Sequence, residues 1–219
     1  MTTPAIIQDE ALFWLGQQDQ EHMVFMVLGI EEAGIRNEAR RLAAAYEAAA
    51  GARDMRQLLA IAQPSQALKR RALDASRAGW VGWLYPSLID HMIYEIDHAL
   101  DRMRRPLDPR AATCFWARER EGAAAVTAKL LDPVETVAAA EATRHAAALR
   151  DLAAACRRPS MGDLSRSVLG ATNALARYVD RTVAARPASI LNPLLVQHET
   201  REGQRSEAQL AAIAARGGR

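Results

Sequence analysis

The sequence has little of several features that mark particular classes of protein. Aromatic residues make up 5% of its 219 residues, and valine, isoleucine and threonine form no alternating runs, which disfavours β-sheet folds. No run of about 18 apolar residues occurs, so a membrane-spanning helix is not expected. The first residues lack the basic and apolar regions of a secretory signal. Because alanine is abundant and favours helices, these absences predict an all-α protein.

Charge and cysteine content disfavour further classes. The net charge is +2, and charges of both signs alternate without a basic stripe, so we expect neither a nucleic-acid nor a membrane partner. The two cysteines, Cys114 and Cys156, match no metal-ligand or redox spacing. We therefore expect reduced thiols in a cytoplasmic protein. A small-molecule ligand and homo-oligomerisation are left open.

Capping and helix-breaking residues predict where the first helices begin and end. Asp9 is the expected N-cap of a long helix that ends at Gly51, with a break or bend at Gly29 or Gly34. A short helix should follow and stop near Pro64, because proline inside a helix removes a hydrogen bond. The second half of the chain should begin near Pro109.

The two halves of the chain are alike. Each opens with Phe-Trp, at residues 13–14 and 115–116. Each closes with a proline followed, at matched spacing, by histidine and then glutamate four residues later: Pro86, His91 and Glu95, then Pro193, His198 and Glu202. This duplication predicts a bundle of two fused helical repeats, about 10–104 and 111–213, within a single all-helical domain that spans residues 1–219.

The repeated His-x-x-x-Glu pattern points to metal-binding chemistry. Residues four apart share one helix face, and both pairs continue apolar stripes, so we expect them to be buried. His22 lies on a similar stripe of the first helix. Imidazole nitrogen and carboxylate oxygen suit iron, manganese or zinc. The predicted ligands of one divalent ion, with room for water or a small ligand, are His22, His91, Glu95, His198 and Glu202.

The same pattern also has an alternative interpretation in which no metal is bound. Histidine and glutamate four residues apart often form an exposed pair or a hydrogen-bonded pair in a core. The chain would then be a helical interaction or structural module. We expect His98 and His145 on the surface in either case. No sequence pattern identifies a catalytic nucleophile or a phosphate-binding loop, so whether the protein is an enzyme is left open and no reaction is predicted.

Four stretches carry a resemblance to a known family: FWLGQQDQEHMVF, HMIYEIDHAL, FWAREREGAAAVTAKLLDPVE and ILNPLLVQHETREGQ. From about Glu10 to Leu210, the sequence resembles the duplicated helical bacterial proteins of domain-of-unknown-function family 2935. The resemblance implies a ferritin-like fold and metal binding, and it implies no reaction. The positions that match the family pattern are Glu21, His22, His91, Glu95, His198, Arg201 and Glu202.

The second half departs from that pattern. Where the family has a second Glu-His pair, this chain has Gly122 and Ala123. Glu119, one turn before Ala123 on the same face, is the candidate substitute. Gln197 replaces the usual acid before His198. The spacing between Phe-Trp and Glu-His in the first half also leaves that alignment open to a slip of one residue.

Overall fold

Helices form all the named secondary structure in the part of the chain that the structure describes. The computed structural model describes residues 4–79, 82–105, 108–157, 164–182 and 193–217. Apart from one isolated bridge between Ile30 and Gly82, these residues contain no β-structure, which confirms the all-α prediction. The chain divides into two compact units, Met1–Leu107 and Asp108–Arg219, here called unit 1 and unit 2. Their boundary falls between the two predicted repeats.

Unit 1 is a bundle of four helical segments. The first segment contains a π-helical stretch, Trp14–Asp19, between two α-helices. The α-helices of this unit are α1 (Pro4–Phe13), α2 (Gln20–Gly29), α3 (Ala33–Gly51), α4 (Met55–Arg77) and α5 (Pro86–Arg104). Each segment packs against the next, and α1 packs against α5, so the bundle closes on itself.

Unit 2 has the same plan with four uninterrupted helices. They are α6 (Pro109–Leu130), α7 (Thr136–Ala155), α8 (Leu164–Thr182) and α9 (Pro193–Gly217). Consecutive helices pack together, and α6 also contacts α9. Alanines on α6 and α7, among them Ala124 and Ala142, form a tight core with Leu175 and Tyr178 of α8. Small side chains of this kind let helices approach closely.

The helix starts follow the capping chemistry of the sequence only in part. Asp9 is not a cap, because the helix already begins at Pro4. Gly29 ends α2, as one of the two predicted break points. Glu32 caps α3 by accepting hydrogen bonds from the backbone N–H groups of Gly34 and Ile35. Asp108 caps α6 through Arg110 and Ala111.

The predicted helix end near Pro64 is wrong. Helix α4 continues through this proline to Arg77. The Pro64 side chain is exposed, whereas a stripe on the other face of α4 is buried, from Leu58 and Ala62 to Leu68 and Ala72. Burying that whole stripe offsets the hydrogen bond that the proline removes.

The expectation of reduced thiols is also wrong. Cys114, near the start of α6, forms a disulfide with Cys156, directly after α7. The two positions are 42 residues apart in sequence and meet because α6 and α7 pack side by side. The prediction of a cytoplasmic protein therefore loses its support from reduced cysteines. Among the described helices, none combines the length and the apolar character needed to cross a membrane.

Candidate metal site

Unit 1 brings two histidines to one buried carboxylate. His91 and Glu95 lie one turn apart on α5, and Nε2 of His91 is 3.3 Å from Oε1 of Glu95. Nε2 of His22, on α2, is 3.4 Å from Oε2 of the same carboxylate. The side chains of His22 and Glu95 are buried, and that of His91 is 11% exposed. The two imidazole nitrogens therefore approach different oxygens of the same buried carboxylate, His22 at Oε2 and His91 at Oε1.

Two buried charged residues, Lys69 and Asp19, lie next to His22. Lys69 of α4 is fully buried, and its ammonium group contacts the Asp19 carboxylate, Nδ1 of His22 at 3.0 Å and the backbone oxygen of Met92 at 3.0 Å. Ser65 donates a hydrogen bond of 2.6 Å to the same carboxylate. Burial alone would raise the pKa of Asp19, but the Lys69 charge and the contacts with His22 hold this pKa well below its usual value.

The contact with Lys69 bears on the tautomer of His22. An ammonium group has three donors and no acceptor, so Nδ1 of His22 accepts a hydrogen bond from it. In that state the neutral ring carries its proton on Nε2, the nitrogen that is 3.4 Å from Glu95. A ring that binds a metal through Nε2 instead carries its proton on Nδ1, often held by a carboxylate. Asp19, whose Oδ1 is 3.6 Å from Nδ1, is placed to be that acceptor.

Unit 2 repeats the histidine–glutamate pair but surrounds it differently. On α9, Nε2 of His198 is 3.5 Å from Oε1 of Glu202, and both side chains are buried. Arg120 of α6 places its Nη1 atom 3.1 Å from Glu199, 3.8 Å from Glu202 and 3.9 Å from Glu119. Burial and the neighbouring Glu202 charge raise the pKa of Glu119 well above its usual value, and the Arg120 charge offsets this only in part.

The structure places the predicted site residues inside the two bundles. Within unit 1 it brings His22, His91 and Glu95 together, and within unit 2 it brings His198 and Glu202 together. Their role as metal ligands stays a prediction. Glu21 and Arg201, which the family resemblance marks, are half-buried, and Gln197 is exposed.

Sequence reasoning missed four charged residues of these clusters: Asp19, Lys69, Arg120 and Glu199. For Lys69 a signal was present. It shares a helical stripe with Ala62, Ser65 and Ala72, a pattern that predicts an inward-facing position. A charged residue on such a stripe is a candidate for a buried, paired group.

The π-helical stretch explains the spacing difference between the repeats. Seven residues separate Trp14 from His22, whereas six separate Trp116 from Ala123. A π-helical turn accommodates one more residue than an α-helical turn, and Trp14–Asp19 supplies that turn in unit 1. Helix α6 is a regular α-helix. These spacings are consistent with an alignment in which Ala123 corresponds to His22. Ala123 is buried.

The remaining histidines differ from expectation. His98 is half-buried rather than exposed, and its ring packs edge-on against Trp14, with ring centroids 5.5 Å apart. Burial, with a smaller contribution from the Arg102 charge, lowers the pKa of His98 to about 3. His145 is half-buried beside Tyr178. Neither residue belongs to the clusters described above.

Comparisons with known proteins support the fold and leave the function open. No family model matches the chain. The uncharacterized protein L567 of Acanthamoeba polyphaga mimivirus is 24% identical over 157 residues, which cover 59% of this chain and 49% of that protein. The matched stretch thus spans about half the length of this relative. A crystal structure of an uncharacterized protein from Bacillus cereus G9241 matches with a TM-score of 0.84 at 14% identity, over 95% of this chain and 92% of that chain. A likeness at this identity shows a shared fold alone.

Proposed function

We propose that this helical-bundle protein binds a divalent metal ion and that its fold is ferritin-like. The observation that carries the proposal is the approach of two imidazole Nε2 atoms to the two oxygens of the buried Glu95 carboxylate. The buried His198–Glu202 pair of unit 2 supports it with the same donor chemistry. The proposed ligands are His22, His91, Glu95, His198 and Glu202.

The chemistry of the donor set fits the proposed ion. Neutral imidazole nitrogens and ionised carboxylates suit iron, manganese and zinc. Such an ion would supply Lewis-acid chemistry or, for iron and manganese, electron transfer. The residues of the chain would hold the ion and orient its ligands. Asp19 would accept a hydrogen bond from Nδ1 of His22, and the helical geometry of α5 keeps His91 and Glu95 on one face. No substrate or reaction follows from these contacts.

The test compares Glu95→Gln with Asp97→Asn. Both substitutions remove a carboxylate charge from α5, but Glu95 is buried beside two histidines and Asp97 is exposed. Purified protein would be loaded separately with Fe²⁺, Mn²⁺ and Zn²⁺, desalted and analysed for bound metal. We expect wild type and Asp97→Asn to retain one ion per chain and Glu95→Gln to lose it.

Thermal unfolding gives an independent measurement of binding. A metal that binds only the folded state stabilises it by about 2.7 kcal/mol at 100 times its Kd. Exhaustive chelation should therefore lower the Tm of metal-loaded wild type and leave that of Glu95→Gln unchanged. The proposal would be overturned if wild-type protein retained none of the three metals and had the same Tm with metal and with chelator.

The contact of Lys69 with His22 favours a second candidate, a metal-free helical module. With Lys69 donating to Nδ1, the neutral His22 ring carries its proton on Nε2, 3.4 Å from Glu95, and the cluster brings α2, α4 and α5 together without an ion. Under this alternative, Glu95→Gln changes stability equally in the presence of metal and of chelator. If the protein binds metal, Glu95→Gln lowers stability more in the presence of metal than in the presence of chelator.

A further inference from the structure

A polar cavity lies within unit 2. It has a volume of about 260 Å³ and is formed by residues of α6, α8 and α9. Of the residues that line it, Arg177 and Asp180 are exposed, Glu207 is half-buried, and Arg120 and Glu199 are buried. Three carboxylates and two guanidinium groups thus line it. Arg120 pairs with Glu199, so among the described lining residues Arg177 is the one further cation available to the two acids Asp180 and Glu207.

Arg120 separates this cavity from the buried acids of unit 2. It lines the cavity together with Glu199. The same Nη1 atom that contacts Glu199 at 3.1 Å is 3.8 Å from Glu202 and 3.9 Å from Glu119. Glu202 and Glu119 are fully buried and do not line the cavity. A cation that moves from the cavity toward His198 and Glu202 therefore meets Glu199 and Arg120 first.

One edge of the Arg120 guanidinium contacts the carboxylates, and the other edge has free space beside it. The described residues offer no hydrogen-bond partner to its Nε atom, although the side chain is 1% exposed. Nη2 lies beside Gly203, a cavity residue, where an added Cβ would still be 3.8 Å away. The guanidinium is thus bound on one side only, and the cavity is large enough to receive it.

We propose that this cavity is the route by which a hydrated divalent cation reaches Glu202 and His198, and that Arg120 is the internal cation that it displaces. The inference rests on the proposed metal-binding function. The acids that line the cavity favour a cation over an anion. Glu199 is the first buried carboxylate that the cation meets, and Arg120 moves into the cavity as the cation takes its place among the acids.

The test measures the rate of Co²⁺ uptake by stopped-flow absorbance in the full chain. Ala176 lines the cavity on α8, and Ala176→Trp would fill part of it. Ala174, half-buried on the same helix, does not line the cavity, so Ala174→Trp is the matched control. We expect Ala176→Trp to slow uptake at least tenfold with an unchanged equilibrium Kd, and the control to bind at the wild-type rate.

A second variant tests the route without adding a large side chain. Glu199→Gln preserves the size of the side chain and its acceptor oxygen for Arg120 but removes the charge, so uptake should slow several-fold. Wild-type rates in both Ala176→Trp and Glu199→Gln would overturn the proposed route while the metal-binding function stands. Absence of Co²⁺ binding in the wild type would instead overturn the proposed function and this inference with it.

Discussion

At the scale of the single residue, His98 should make stability depend on pH. Its pKa in the fold is about 3 against an ordinary value of 6.5, so below pH 6.5 the unfolded state binds a proton that the folded state does not. Stability therefore falls as pH falls through this window. At pH 5 the loss is about 2 kcal/mol, since one pKa unit corresponds to about 1.4 kcal/mol.

The substitution that isolates this effect is His98→Phe, which retains an aromatic ring against Trp14. Urea unfolding at pH 7 and pH 5 should show a smaller loss of stability in the variant than in the wild type, by about 2 kcal/mol. Other titrating groups are common to both proteins and cancel in the difference. The same loss in both proteins would mean that His98 accepts a proton in the folded state.

Lys69 should be far more important for stability than its residue type suggests. Lys69→Met leaves the buried Asp19 carboxylate without the ammonium group that neutralises it. Breaking a buried ion pair in this way costs about 3–5 kcal/mol. Lys129, the other lysine of the chain, is exposed, and Lys129→Met should change the free energy of unfolding by less than about 0.5 kcal/mol.

A double substitution distinguishes the ion pair from simple packing. If Lys69 acts through Asp19, then Lys69→Met combined with Asp19→Asn should cost less than the sum of the two single substitutions in urea unfolding. Additive losses would assign the effect of Lys69 to packing alone.

The residue pairs differ in how far sequence can predict them. His91 and Glu95 are one turn apart on a single helix, so helical geometry alone places them together. Lys69 and Asp19 are 50 residues apart, and their contact depends on which helices pack side by side. Local periodicity shows that Lys69 faces inward, but it does not identify the carboxylate that it meets.

At the scale of the helix, Pro64 should destabilise α4. Its side chain is exposed, and its missing N–H removes one hydrogen bond from the middle of the helix. Since proline in a helix interior is less favourable than alanine by about 3 kcal/mol in model systems, Pro64→Ala should raise the free energy of unfolding by about 1–3 kcal/mol in urea. Gln63→Ala, at the exposed neighbouring position, should change it by less than about 0.5 kcal/mol.

An unchanged or lowered stability in Pro64→Ala would mean that the proline fits its site better than a regular helix residue. The error in the predicted helix end has a physical reason. Proline signals a local cost, whereas the benefit of continuing the helix comes from a buried stripe that spans both sides of residue 64. A sequence window that stops at the proline does not include that benefit.

At the scale of the whole molecule, the duplication makes Ala123 a test of the repeat alignment. Ala123 is buried one turn after Glu119 on α6. If it stands where unit 1 has His22, then Ala123→His adds an imidazole close to the buried acids of unit 2. We expect a loss of about 1–3 kcal/mol without metal, because the core is overpacked, and tighter metal binding than in the wild type.

The control lies at the adjacent position. Ala124 is also buried, but it belongs to the apolar core with Ala142 and Leu175. Ala124→His should therefore destabilise the protein without tightening metal binding, as measured by titration with Zn²⁺. Equal affinities in both variants and the wild type would place His22 and Ala123 at unrelated positions.

Abundant alanine and the lack of alternating β-branched runs were sufficient for the all-α class, and the boundary between the two units falls between the predicted repeats. The family resemblance added the ferritin-like expectation, which stays a prediction, as does a single domain over residues 1–219. The disulfide was beyond sequence reasoning, because pairing Cys114 with Cys156 requires the packing of α7 along α6. The spacing of the two cysteines in the sequence had predicted reduced thiols.

The disulfide has a consequence for the topology of the chain. Residues 114–156 form a covalent ring that contains the turn between α6 and α7, where Val134 is 81% exposed. A ring that is cut once stays a single molecule. A protease that cleaves this turn would therefore leave one species on a denaturing gel without reductant and two with it, and the cut would create a new pair of chain ends while the two helices stay linked.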